Sequence, residues 1–94
     1  FPGGEDELIR FISDNLRYPA VASEMGIEGR VIIRFVVSKN GEVGSVEVIR
    51  SLDPSCDKEA SRVVKMMPKW IPGRQNGRSV PVYYTIPIVF RLQK

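Results

Sequence analysis

The sequence predicts an α+β domain: a three-stranded antiparallel sheet, strand order 2-1-3, with helices packed on one face. Three observations carry this. Two alternating apolar runs flank Asn40-Gly41, a dipeptide that favours a tight hairpin. A helical pattern then separates this hairpin from the last strand, and a right-handed crossover that skips one strand leaves the first strand central. The last strand pattern, Val80 to Leu92, carries Pro81 and Pro87. Proline has no N–H to donate, so such a strand belongs at an edge.

Phe1 to Gly4 reads as a flexible lead-in. Glu5, Asp6 and Glu7 follow, acids that suit a helix N-terminus. Leu8, Ile9, Phe11, Ile12 and Leu16 have helical spacing, so a helix is expected over roughly residues 5–16. Tyr18-Pro19 ends it, because the residue before a proline avoids the α region. A short second helix, Pro19 to Met25, stops at Gly26, a residue type that readily takes the left-handed conformation closing a helix.

Arg30 to Ser38 alternates with period two. Val31, Ile33, Phe35 and Val37 face one way; Ile32, Arg34, Val36 and Ser38 face the other. Val43 to Arg50 is the return strand. Val43 is out of phase with Val46 and Val48, which predicts a bulge near Gly44. Asp53-Pro54-Ser55 reads as a turn, and Asp57 as the cap of a helix running through residue 67. Its stripe is Ala60, Val63, Val64 and Met67. Asn76-Gly77 is a second turn signal. In the last strand Val82, Tyr84, Ile86, Ile88, Phe90 and Leu92 share the inward face.

Both prolines of that strand occupy odd positions. Residues of one parity point their N–H and C=O groups to one side, so both missing donors fall on the same, open edge. The even-numbered residues then pair with the first strand. An open edge is either blunted by such prolines or used to dock another strand.

Ninety-four residues make one domain, 1–94. The chain starts Phe-Pro-Gly-Gly rather than Met, which reads as a fragment or a processed product. No apolar run approaches the length of a membrane span. The net charge of +3 hides an asymmetry. No acid follows Glu59, whereas Arg62, Lys65, Lys69, Arg74, Arg78, Arg91 and Lys94 all do. A one-sign region attracts an oppositely charged partner or is simply a solvated face.

The chain has no histidine and a single cysteine, Cys56. Catalysis by a Ser or Cys nucleophile therefore lacks its usual base. No ligand set has metal-site spacing, and no glycine-rich segment matches a phosphate loop. No catalytic residue, cofactor or metal is expected, and Cys56 is assigned to core packing. Basic residues near Trp70, Tyr83 and Tyr84 resemble a single-strand nucleic-acid surface only weakly, and no nucleic-acid partner is expected.

The segment Tyr18-Pro19-Ala20-x-Ala22-x3-Gly26-Ile27-Glu28-Gly29-x-Val31 resembles the start of the TonB C-terminal domain. Asn40-Gly41 with Val43, Met67-Pro68-x-Trp70-x-Pro72-Gly73, and Val80-Pro81-Val82 leading to Pro87 and Phe90 match it in order. The ordered set is specific where each piece is not. Phe-Pro-Gly-Gly and the Arg74–Gly77 turn resemble the Bacteroides-type branch of that family.

The resemblance implies a periplasmic module of an inner-membrane-anchored energy transducer. It would bind the Ton box, a short peptide of outer-membrane receptors, as a strand added along Val82 to Leu92. Inner-membrane proton-driven motor proteins would act through a part upstream. Similar domains also end sensor-transducer metallopeptidases, which leaves a regulatory sensor domain as the alternative. Pro87 removes one outward donor, so either docking avoids it or it uses residues around 83–85 and 89–91.

The expected peptide-binding residues are Val82, Tyr83, Thr85, Val89 and Arg91 on the strand. Arg74 and Arg78 are expected to steer an acidic segment, and Arg17 to help close the groove. The other sheet face, with Ile32, Val36, Ile49 and Val89, is apolar enough to suggest a homodimer.

Overall fold

The structure, a computed structural model, describes residues 1–93. Its elements in order are α1 (Glu5–Asn15), α2 (Ala20–Glu24), β1 (Gly29–Val37), β2 (Val43–Arg50), α3 (Pro54–Lys65), β3 (Gly73–Gln75), β4 (Arg78–Val80) and β5 (Val82–Phe90). The main sheet has the order β2-β1-β5 and is antiparallel throughout, as the crossover argument requires.

The β1–β5 ladder is unbroken, from Gly29 opposite Phe90 to Val37 opposite Val82. The β1–β2 ladder slips twice. One slip lies between Gly44 and Glu47, where Ser45 takes a φ of 50°. This is the bulge expected near Gly44, and it lets Val43 and Val46 both pack on the core. The second slip leaves Ile49 without a partner between Val48 and Arg50; nothing in the alternation of β2 foretold it.

The core lies between the inward sheet face and the helices. Val31, Ile33, Phe35 and Val37 of β1 are buried, as are Ile88 and Phe90 of β5. They meet Ala22 of α2, Cys56, Ala60 and Val64 of α3, and Met67 and Trp70 beyond it. Burial raises the pKa of the Cys56 thiol, and the neighbouring Asp53 charge adds to the shift, so the thiol stays protonated. Tyr18 explains the Tyr-Pro signature. Its ring meets Phe90 edge-on at 5.5 Å, and its hydroxyl donates to the Ile27 carbonyl.

Several local expectations are corrected. Phe1 to Gly4 is no loose lead-in. Gly4 N–H donates to the Phe1 carbonyl at 2.9 Å, and the Phe1 ring packs on Phe11 and Trp70. The third helix starts earlier than expected. Asp53 caps it by accepting from Ser55 N–H at 3.0 Å, and Pro54 takes the first helical position, where a missing N–H costs nothing. Asp57 instead accepts from Leu52 N–H and the Ser51 hydroxyl, holding the loop that enters the helix.

The two Asn-Gly pairs also differ. At Asn76-Gly77 both residues have positive φ, 53° and 77°, and the strands are joined by those two residues alone. At Asn40-Gly41 only Gly41 is left-handed, and Ser38 receives N–H groups from Gly41, Asn40 and Glu42. The second pair closes the separate β3–β4 hairpin, so the last strand is shorter than expected. Pro81 interrupts it before Val82. After Phe90 the chain turns away, and Leu92 N–H donates to Glu28 at 3.0 Å.

Candidate functional site

Among the described residues β5 pairs on one side with β1 and has no strand on the other. Pro87 lies inside this strand, and a residue without an N–H is accommodated only where no ladder bond is needed. The odd-numbered backbone groups are therefore the outward ones. The same parity sets exposure: Tyr83, Thr85, Pro87 and Val89 are exposed, whereas Val82, Tyr84 and Ile86 are half-buried and Ile88 and Phe90 fully buried.

A groove accompanies this edge. α1 runs beside β5 in the same direction. Leu8, Ile9 and Ile12 meet Tyr84, Ile86 and Pro87 around a hollow of about 470 Å³ that Phe1 and Trp70 close. Ile9, Ile12 and Leu16 continue opposite Pro87, Val89 and Arg91 around a second hollow of about 690 Å³. Ile9, Ile12 and Pro87 belong to both, so the two hollows form one trough.

The Trp70 end is built by close backbone approach. Trp70 N–H donates to the Gly41 carbonyl at 2.8 Å. Gly41 has φ 85°, and a Cβ there would lie 3.3 Å from the Trp70 carbonyl carbon and overlap its oxygen. The indole packs on Phe35 at 5.4 Å and Tyr84 at 4.7 Å. Trp70 thus covers the core and is also a wall of the trough. Its buried Nε1 has no hydrogen-bond partner among the described residues.

The structure gathers some of the expected site residues and separates others. Tyr83, Thr85 and Val89 lie on the open edge, with Tyr83 71% exposed. Val82 is on the strand but turned toward the core side, opposite Val37. Arg91 lines the trough just beyond the end of β5. Arg74 and Arg78 sit on the β3–β4 hairpin, past the Val82 end. Eight residue steps separate Val82 from Phe90, about 27 Å, so these two arginines stand at the opposite end from Arg91.

Arg17 lies in a different hollow, of about 370 Å³, beside α3 with Lys58, Glu59 and Arg62. Its N–H donates to Glu59 at 2.7 Å. Arg62 also binds Glu59, and these bonds hold the Glu59 carboxyl below the usual carboxylate range.

Sequence reasoning did not single out the α1 wall. The available signal was Ile9, one apolar residue more than the packed stripe of Leu8, Ile12 and Leu16 requires. The outer sheet face carries Ile32, Val36, Ile49 and Val89 as expected. Arg34 crosses it, bonded to Glu47 and placed 5.9 Å over the Tyr83 ring. Among the described residues no cluster fit for a metal ion occurs, and no helix is long and apolar enough to cross a membrane.

The model of the family described as Gram-negative bacterial TonB protein C-terminal matches residues 14–92. Two solution structures of the Helicobacter pylori TonB C-terminal domain are similar to this chain, each at 25% identity. One, of residues 194–285, has a TM-score of 0.68 and covers 94% of this chain and 92% of its own. The other, of residues 179–285, has a TM-score of 0.69 and covers 99% and 88%. Comparison with curated proteins gives no match.

Proposed function

This chain belongs to the Gram-negative bacterial TonB protein C-terminal family, and from that premise we propose that it is the periplasmic peptide-binding domain of a TonB energy transducer. It binds the Ton box of outer-membrane receptors by strand addition. It passes on mechanical energy that inner-membrane proton-driven motor proteins supply through a part upstream, for nutrient import. It works without catalysis or cofactor.

One observation carries this reading: the unpaired edge of β5, with its proline on the outward parity, faces an open trough rather than packed protein. Native proteins cover or blunt an edge that is not used. Here Pro87 blunts a single position, the rest of the edge is reachable, and the backbone groups of Tyr83, Thr85 and Val89 are the ones free to pair. Main-chain bonds supply affinity with little demand on sequence, and alternate side chains add selectivity. Arg91, in the trough, attracts an acidic residue of the peptide. Arg74 and Arg78 act at longer range, through the encounter rate.

Titration with a receptor-derived Ton box peptide tests this, using Thr85→Pro and Thr85→Ala after each is shown to be folded. Thr85→Pro removes one outward N–H and places a ring on the edge, so binding falls at least tenfold, the loss of more than one backbone bond. Thr85→Ala keeps the donor and stays within about threefold. Equal affinities of the two variants would rule out strand addition at β5.

A further inference from the structure

We propose that α1 is a selecting wall: its Ile9, Ile12 and Leu16 read every second side chain of the strand added to β5, and favour a peptide with apolar residues at alternate positions. The inference rests on the strand-addition reading above and adds what that reading leaves open, the side of the trough that is not backbone.

Three observations lead to it. First, Ile9 is 58% exposed although it sits on a helix beside the core, and it lines both halves of the trough. The half-buried Leu8, Phe11, Ile12 and Leu16 already anchor α1 to the core, so packing does not account for Ile9. Second, α1 and β5 run side by side in the same direction, with Ile9 and Ile12 opposite Pro87 and Leu16 nearer Arg91. A strand laid along β5 must point alternate side chains to the two faces of the sheet. One set enters the trough and meets these residues; the other lies over the outer face near Tyr83 and Thr85. Third, among the described residues charge marks only the ends of the trough. Glu5 stands at the Trp70 end and Arg91 at the Leu16 end. Between them the α1 wall is apolar except for Ser13, so the middle of the occupant is apolar on that side while its charges belong at the ends.

The other candidates of the fold point elsewhere. In the hollow beside Arg17 the Arg62 guanidinium is already bonded to Glu59 and the Asn15 carbonyl, and Glu59 also accepts the Arg17 backbone N–H. The outer sheet face is crossed by the Arg34–Glu47 pair and is only three strands wide.

Two end-capped nine-residue peptides of one composition test the proposal. One alternates Val and Thr and ends in Asp; the other holds the same residues as a Val block followed by a Thr block, with the same terminal Asp. Both can pair along β5, but only the first places every Val on one side. The full chain binds the alternating peptide about tenfold more tightly, the effect of a further apolar side chain or two entering the trough. Ile9→Gln keeps a good helix former at an exposed site and reduces that preference below threefold, chiefly by weakening the alternating peptide. Thr85→Pro weakens both peptides alike.

If Ile9→Gln keeps the tenfold preference while Thr85→Pro weakens both, the edge binds but α1 does not select, and this inference alone falls. If both peptides bind and Thr85→Pro leaves them unchanged, the strand-addition reading falls as well. Equal affinity of the unmodified chain for the two peptides overturns the selection directly.

Discussion

Replacing Gly41 by alanine tests how the Trp70 wall is built. Gly41 lies at φ 85°, where an L-residue costs roughly 1–2 kcal/mol. The added Cβ also overlaps the Trp70 carbonyl oxygen, so one backbone must move. These backbones are tied by the 2.8 Å bond from Trp70 N–H to the Gly41 carbonyl, worth about 1 kcal/mol. Movement also disturbs the indole against Phe1, Phe35 and Tyr84. Reduced freedom of the unfolded chain returns about 0.5 kcal/mol. The net loss is about 2 kcal/mol before any repacking of the indole, a large part of the stability of many domains this size, and lowers Tm by roughly 8–16 °C. Gly77→Ala is the control. Gly77 has φ 77° but nothing within 4 Å of a Cβ, so it carries the dihedral cost alone, about 1 kcal/mol. Trp70 is the only tryptophan, so denaturant titration followed by its fluorescence reports on both variants at the site concerned. Equal destabilisation by Gly41→Ala and Gly77→Ala would refute the close-approach argument.

Further expectations follow from the same geometry. Val64, fully buried on α3, tolerates no charge, so Val64→Asp unfolds the domain; a soluble variant with unchanged Tm would contradict the packing. The Ser55 side-chain hydrogen bond holds the Asp53 carboxyl below its usual range, and the Arg62 bond does the same for Glu59. For a depressed carboxyl the contribution is present above the unfolded pKa, about 4, and is lost as pH falls through the folded value. Stability should therefore drop as pH falls below about 4. Asp53→Asn keeps a capping oxygen and should show a shallower drop in acid titrations followed by circular dichroism; an unaltered profile would exclude Asp53 as a contributor. Arg91→Gln weakens binding of an acidic peptide mainly through dissociation, whereas Arg74→Gln with Arg78→Gln lowers the salt dependence of association. Stopped-flow rates at two ionic strengths separate these, and identical salt slopes would leave Arg74 and Arg78 as a solvated face.

The periodic segments were legible in the sequence because burial there follows local spacing. Val31 to Val37 alternate along a strand buried on one face, and the out-of-phase Val43 announced the bulge that Ser45 makes. Pro87 placed β5 at an edge, because a missing donor is a property of the residue itself. Element ends were less legible. Asp53-Pro54 fits a turn or a helix start by chemistry alone, and the hydrogen bond from Ser55 N–H to Asp53 distinguishes them. The two Asn-Gly pairs look alike in sequence, yet only Asn76-Gly77 is a two-residue turn. At Gly41 the approach of Trp70, from a segment beyond α3, constrains the loop.

By itself, then, the sequence determined the α+β class, the strand order, the open edge and the family resemblance, since each rests on residue types and their spacing. Tertiary structure alone decided what faces that edge. It laid α1 beside β5 and joined Phe1 and Trp70 at one end of the trough. It also placed Arg91 at the other end and held Arg17 against Glu59, away from the edge. These relations join residues tens of positions apart, and helix docking on the sheet sets them. No local period encodes that docking; it depends on how the summed apolar faces fill one small core.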